Sequence, residues 1–284
     1  MNLQEVVSVE NMRKSDAKTI AEHTTSAKLM HRAAQGIYNS VKFTGRVAIV
    51  CGKGNNGGDG YALACILCSN GITPTIVRVS DSFSKDGLYY YQSAKSLGAV
   101  EESLESIGNF AGYDIVVDCL LGTGFSGEVT GRIKDAIEQI NISNAYVISA
   151  DINSGINGNT GVADIAVNSD LTVSIGAYKT GLFLNDAPYF IDAMVNADIG
   201  IELIDDEYKL IDYSLLHMFE GYNSIVMTTE EFFEKYNYDP QTCDIAQCIW
   251  DISTTSRKTV VVKTDHSAVI ADLKYIYFCA DYAK

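Results

Sequence analysis

The sequence predicts an α/β fold: a three-layer αβα sandwich around a Rossmann-like, mostly parallel sheet, with a small C-terminal appendage. Three observations predict it. Short β-branched runs alternate with helical stretches through roughly the first 200 residues, the pattern of strands joined by crossover helices. Three polar loops, Gly52–Asp59, Leu121–Glu128 and Asp151–Gly155, follow strand ends, where ligands sit in such sheets. Beyond Asp205 the alternation gives way to a polar, acidic stretch and then to strand-like runs. A boundary is therefore predicted near 203–206, dividing a domain of residues 1–204 from an appendage of residues 205–284.

Residues 26–42 are expected to be helical, because Met30, Ala33, Ala34, Ile37 and Val41 recur on one face. Arg46 to Cys51 is short, apolar and rich in β-branched residues, hence a buried strand. Gly52 to Gly58 reads as a tight loop, and Gly60 to Ser69 as the next helix. Thr73 to Val79 is a second strand, followed by a helix around Tyr89 to Leu97. Asp114 to Cys119 is a third strand, then comes the loop from Leu121 to Gly131 and a helix over Ile133 to Ile140. Tyr146 to Ala150 and Leu171 to Ile175 complete the set. Further strands are expected within 259–279.

Composition excludes several classes. Lys plus Arg number 21 against 36 Asp plus Glu, a net charge of −15. Such a surface repels nucleic acids and anionic membranes, so neither is an expected partner. An anionic ligand must be held by a local feature. No apolar run reaches the roughly 18 residues a membrane span needs. The seven cysteines, an odd number, read as reduced thiols of a cytoplasmic protein. Cys65 and Cys68 form a CxxC on a helix without a second pair or a neighbouring His, so a core role is favoured over a metal.

The densest signal is Gly52-Lys53-Gly54-Asn55-Asn56-Gly57-Gly58-Asp59-Gly60. Glycines let the backbone approach a ligand closely, and the helix start offers free N–H groups to an anion. Asp59, at that start, is expected to be ionised. Gly52, Gly54 and Gly57 also satisfy GxGxxG, and Asp81 follows the next strand. An ordinary Rossmann dehydrogenase is thus a rival reading, although a helix precedes the first strand and no alcohol or acid site is evident. Asn56, Asp118 and Ser154 offer oxygen ligands with one charge among them, a set that suits a monovalent cation better than Ca²⁺ or Mg²⁺. Lys179, between glycines after an apolar strand, either faces solvent or points inward.

Four ordered segments together resemble the NAD(P)H-hydrate epimerase family, the YjeF N-terminal domain. They are Gly52 to Gly60, Asp118 to Gly127, Asp151 to Gly155 (DINSG) and Gly176 to Gly181; Met12-Arg13 with Asp16 resembles the family's opening helices. The resemblance implies that Asn55, Asn56, Gly57, Gly58, Asp59, Gly122, Thr123, Gly124, Phe125, Ser126, Gly127, Glu128 and Asp151 contact hydrated NADH or NADPH. It implies one potassium ion per subunit on Asn56, Asp118 and Ser154, and Asp59 with Lys179 at the reacting carbon. Asp59 would carry the main proton transfer and Lys179 would orient it, tune its charge or act as the complementary acid. A homodimer is a further expectation of the resemblance. One departure is Asn153, where the family has proline; it implies a looser turn beside Ser154 and weaker ion binding. The same fold also serves as a non-catalytic module, as in a eukaryotic mRNA-decapping scaffold. Lys258 to Cys279 resembles a fragment of the NAD(P)H-hydrate dehydratase, but that enzyme's GTGD-type motif is absent, so a degenerate remnant without dehydratase activity is expected.

Overall fold

The computed structural model describes residues 4–205 and 208–283. In chain order, β1 (Gln4–Val7), α1 (Val9–Glu22) and α2 (Ser26–Ser40) precede β2 (Val47–Cys51) and α3 (Asn55–Ser69). Next come β3 (Thr75–Arg78), α4 (Lys85–Ser96), β4 (Val100–Ser103), the single turn α5 (Leu104–Ile107) and β5 (Ile115–Cys119). Then follow α6 (Gly131–Asn141), β6 (Tyr146–Ala150), β7 (Leu171–Ile175), the two-residue β8 (Tyr178–Lys179) and β9 (Met194–Ala197). The remaining elements are β10 (Tyr208–Leu210), β11 (Ser224–Thr228), α7 (Thr229–Tyr236), α8 (Ile245–Ser256), β12 (Thr259–Lys263), β13 (Ser267–Ala271) and β14 (Ile276–Ala280).

The first sheet has the order β4-β3-β2-β5-β6-β7-β9 and is parallel throughout. Strands β2, β5 and β7 are buried along their whole length, as in a parallel sheet covered on both faces; β2 is apolar throughout, whereas β5 and β7 also bury Asp118, Thr172 and Ser174. One face carries α2 and α3, where Leu29, Met30, Ala33, Ala34 and Ile37 of α2 pack with Ile49, Val117 and Val173. The other carries α6, whose Ala136, Ile137 and Ile140 meet Ala48, Val50 and Val116. The sandwich is thus the one expected. The strand order reverses direction at β2 and β5, so the loops after these strands splay apart and leave a crevice.

Helix α3 starts at Asn55, within the segment expected to be a loop. Glycine's poor helix propensity suggested the loop, but packing overrides propensity here. A Cβ on Gly57 would lie 2.1 Å from the Gly52 carbonyl oxygen, and one on Gly58 would lie 2.4 Å from Met30. Only a bare helix face can come that close to the first strand's end and to α2.

The second sheet has the order β11-β12-β13-β14-β10-β1-β8 and is mixed. Five of its strands come from residues 208–283, and the other two, β1 and β8, from the N-terminal part. β1 pairs antiparallel with β10 and parallel with β8, with Val7 opposite Lys179. Helices α7 and α8 cover one face through Phe232, Ile245 and Ile249, in a core continuous with Leu182, Phe183 and Leu184. Ser267 Oγ donates to the Phe183 carbonyl at 2.6 Å, and Tyr282 OH to that of Leu182 at 2.7 Å. The Tyr282 carbonyl accepts from the Met194 amide at 2.7 Å, at the outer edge of the first sheet. The C-terminal residues therefore bridge both sheets.

Helix α1 buries a polar stripe. Asn11 Nδ2 donates to the Asp205 carbonyl at 2.8 Å, Ser15 Oγ accepts from the Ile204 amide at 2.9 Å, and Thr19 Oγ1 accepts from the Glu202 amide at 3.1 Å. These bonds satisfy backbone groups of an irregular segment that has no strand partner there. They also fix the helix that carries Asp16.

Candidate functional site

At the carboxyl edge of the parallel sheet lies a cavity of about 1020 Å³. Helices α1 and α2 wall one side with Met12, Ile20, Leu29 and Met30. The start of α3 and the loops after β5 and β6 form the rest. Lys53 and Asn55 stand at the rim. The α3 N-cap is Gly54, which has no side chain to occupy the first-turn N–H groups, so they are available to an anion. This local positive end answers the repulsion of the acidic surface.

Asn55, Asn56, Asp59, Gly122, Thr123, Gly124, Phe125, Ser126, Glu128, Asp151 and Lys179 all line this cavity. Gly57, Gly58 and Gly127 do not. The first two are buried in the helix packing described above, and Gly127 is exposed with a φ of +96°. Asp81, the acid of the dehydrogenase reading, lies outside the cavity, fully exposed and 3.8 Å from Arg78.

Behind the cavity wall, Asp118 is fully buried at the end of β5. One carboxyl oxygen accepts from Ser154 Oγ at 2.5 Å and the Leu120 amide at 3.1 Å; the other accepts from the Ser154 amide at 2.9 Å and Ser149 Oγ at 3.0 Å. Burial pushes the Asp118 pKa up, and these four donors oppose it. Ser154 Oγ also accepts from the Leu121 amide at 2.8 Å, while Asn56 Nδ2 donates to the Leu121 carbonyl at 2.6 Å. Asn56, Asp118 and Ser154 thus gather around Leu121. The buried Asn56 Oδ1 has no hydrogen-bond partner among the described residues.

Asn153 does not loosen its turn. It is fully buried, and its Nδ2 donates to the Val167 carbonyl at 2.8 Å and to Ser169 Oγ and the Phe190 carbonyl at 2.9 Å. Its Oδ1 accepts from Thr172 Oγ1 at 2.5 Å. Where proline would stiffen the turn by its ring, this chain anchors it with a saturated amide. Asn153→Ala strands these groups in the core and should cost about 2–3 kcal/mol. Urea titration will read that as a lower midpoint with an unchanged slope.

Asp151 follows β6 with a φ of +68°, the left-handed region that L-residues rarely enter. That conformation turns its carboxylate to Lys179. The lysine is 1% exposed, and its ammonium donates to Asp151 Oδ1, to the Ile175 carbonyl at 2.7 Å and to Ser174 Oγ at 3.4 Å. Its three protons are committed. Lys179 therefore points inward, but it pairs with Asp151 and does not orient Asp59.

Asp59 departs from expectation in charge. It lies in the second turn of α3, beyond the free N–H groups, and it is half-buried. Burial holds its pKa well above the usual carboxylate range, Asp151 and Asp16 raise it further, and Lys179 opposes them. Asp59 thus holds its proton more tightly than an aspartate at a helix end would. Asp16, from α1, lines the same cavity; burial and then Asp151 raise its pKa, against Lys179. Sequence reasoning had assigned Asp16 no role. The Met12-Arg13 segment with Asp16 was the signal that could have found it.

The profile of the YjeF-related protein N-terminus family matches residues 26–181. The chain belongs to that family. An NAD(P)H-hydrate epimerase of Limosilactobacillus reuteri is 33% identical over 210 residues, 70% of this chain and 98% of its own length. The bifunctional NAD(P)H-hydrate repair enzyme Nnr of Thermanaerovibrio acidaminovorans is 29% identical over 236 residues, 75% of this chain. The chain spans less than half the length of the bifunctional relatives it matches. Among solved structures, yeast ynu0 superposes with a TM-score of 0.56 at 20% identity, over 62% of this chain and 82% of that one. That likeness gives the YjeF-related chain its fold. Among the described residues no helix is long and apolar enough to cross a membrane.

Proposed function

We propose that this chain is an NAD(P)H-hydrate epimerase, interconverting the R and S forms of NADH or NADPH hydrated at C6 of the nicotinamide ring. The observation that carries the reading is Asp59: a carboxyl without a protein partner among the described residues, inside a cavity large enough for a dinucleotide. Inversion at C6 needs a proton delivered and removed there. A carboxyl whose burial and acidic neighbours raise its proton affinity is matched to that task. The diphosphate would lie on the start of α3 and the loop Gly122–Glu128, which orients the ring relative to Asp59. The Lys179–Asp151 pair would keep the inner wall rigid and moderate the charge felt by Asp59.

Asn56, Asp118 and Ser154 are the residues that would hold a potassium ion. The orphaned Asn56 Oδ1 and the single buried carboxyl beside neutral oxygens fit a monovalent cation. When bound, it offsets negative charge near the diphosphate. Potassium chloride should raise the melting temperature above that in choline chloride at equal ionic strength, because a ligand of the native state stabilises by mass action. In Asn56→Ala that difference should vanish. Its persistence places the ion elsewhere.

Residues 208–283 are assigned a structural role, supporting β1 and β8 and thereby Lys179, and no dehydratase chemistry. The reading is tested by supplying one purified hydrate epimer and following its relaxation to the mixture by chromatography. Relaxation no faster than in buffer contradicts it.

A further inference from the structure

We propose that Asp16 is a second proton-transfer group, serving the face of the nicotinamide ring opposite to the one served by Asp59. The inference rests on the epimerase reading and deepens it. An epimerase must handle C6 from both sides, because the hydroxyl leaves one face as water and a water adds to the other. A single carboxyl on one wall reaches one face.

Among the ionisable groups that line the cavity, Asp16, Asp59, Asp151 and Lys179 are linked electrostatically. Two of them are committed. The ammonium of Lys179 spends its three protons on Asp151, Ser174 and Ile175, so it has none to give without breaking a buried contact. Asp151 is the partner of that ammonium. Asp16 and Asp59 have no hydrogen-bond or ion-pair partner among the described residues, although both are half-buried. Carboxyls that line a cavity, have raised proton affinity and are left unpaired by the protein point to an occupant of that cavity. Asn56, 7% exposed, lines the same space, and its unpartnered Oδ1 is the one assigned above to the cation.

The two carboxyls arrive on different elements. Asp16 comes from α1, which is held by the segment 202–205 through Asn11, Ser15 and Thr19. Asp59 comes from α3, which packs against α2 and α4. Asp151 and Asp16 both raise the proton affinity of Asp59, and Asp151 raises that of Asp16. Acidic groups in a shared cavity penalise one another's ionisation, which favours keeping a proton in the site.

The step balances without an added reagent. One carboxyl gives its proton to the C6 hydroxyl oxygen. The C6–O bond breaks, its electron pair leaves with water, and the N1 lone pair forms an N1=C6 double bond. Water adds to C6 from the other face, and its proton passes to the other carboxylate. Nothing is oxidised or reduced, and one proton has moved between the two aspartates. The reverse reaction uses the same pair with exchanged roles, as reversibility demands.

The test uses the full chain and a single purified hydrate epimer. Asp16→Asn should lower kcat by about 100-fold or more with KM changed less than about threefold. Asp16→Glu should recover part of the loss, and added acetate should raise the rate of Asp16→Ala. The parent, assayed in ¹⁸O water, should place one solvent oxygen at C6 with each inversion. Inversion without label overturns the step, and this readout needs no variant to fold. A kcat for Asp16→Asn within threefold of the parent, or a change in KM alone, overturns the role of Asp16 while the epimerase reading stands. If the parent itself does not relax the epimer, the reading and the inference fail together.

Discussion

Asp59→Asn is expected to slow epimer relaxation by about 10²–10⁴-fold while making the folded chain more resistant to heat above acidic pH. The two effects have one cause. Burial and the neighbouring Asp151 and Asp16 hold the Asp59 proton on well above the ordinary carboxylate range. In the unfolded chain the group titrates near about pH 3.9. Between that value and the raised native value, the native state binds more protons than the unfolded state. Stability is therefore full below the unfolded pKa and declines as pH rises through the native one. Asparagine has no proton to lose and escapes the decline. The melting-temperature gap between variant and parent should widen in the variant's favour as pH rises from about 4 towards neutrality. The contributions of Asp16 and Asp118, present in both proteins, largely cancel in that difference. Calorimetry across this range, beside initial rates by chromatography, checks both effects. A parental rate or a flat gap contradicts the assignment.

Lys179→Met should be the most destabilising single change at the site. It leaves the Asp151 carboxylate, whose side chain is 17% exposed, without its cation, and it removes donors from Ser174 and Ile175. Breaking such a pair from one side costs about 3–5 kcal/mol. The strand β8 that carries Lys179 is only two residues long and leans on β1, so it has little to compensate with. The double variant Asp151→Asn with Lys179→Met removes the stranded charge and should be more stable than the lysine variant alone. A double-mutant cycle in urea measures the coupling. Loss below about 1 kcal/mol in the single variant, or strict additivity in the double, removes the pair from the account.

The sequence predicts this sheet well because β2, β5, β6 and β7 are five-residue runs in which apolar residues predominate, a signal that needs no partner to be visible. Helix α2 was readable for the same reason, since its buried side is Leu29, Met30, Ala33, Ala34 and Ile37. Helix α1 was not readable by period, because apart from Met12 what it buries is Asn11, Ser15 and Thr19, and their partners lie 183 to 194 residues away along the chain. The edge strand β4 carries Glu101 and Glu102 and has no apolar run to reveal it. The start of α3 was hidden by glycines whose purpose is close packing. In the site, the loop residues were legible because donors and glycines concentrate after strands. The link from Lys179 to Asp151 was not, because it joins two sheets and depends on the left-handed turn at Asp151. The ionisation of Asp59 followed the same logic: a shift of one turn along α3 takes it from the helix end into the cavity, and burial then outweighs the dipole.

The proposed chemistry requires the nicotinamide to lie beside Asp59. A crystal structure of the chain with NADP soaked into it, in potassium salt, measures this directly. The diphosphate is expected on the first turn of α3 and the loop Gly122–Glu128, with C6 of the ring within one bridging water of the Asp59 carboxyl. A ring bound outside this cavity, or inside it with Asp59 beyond that reach, would contradict the proposed chemistry.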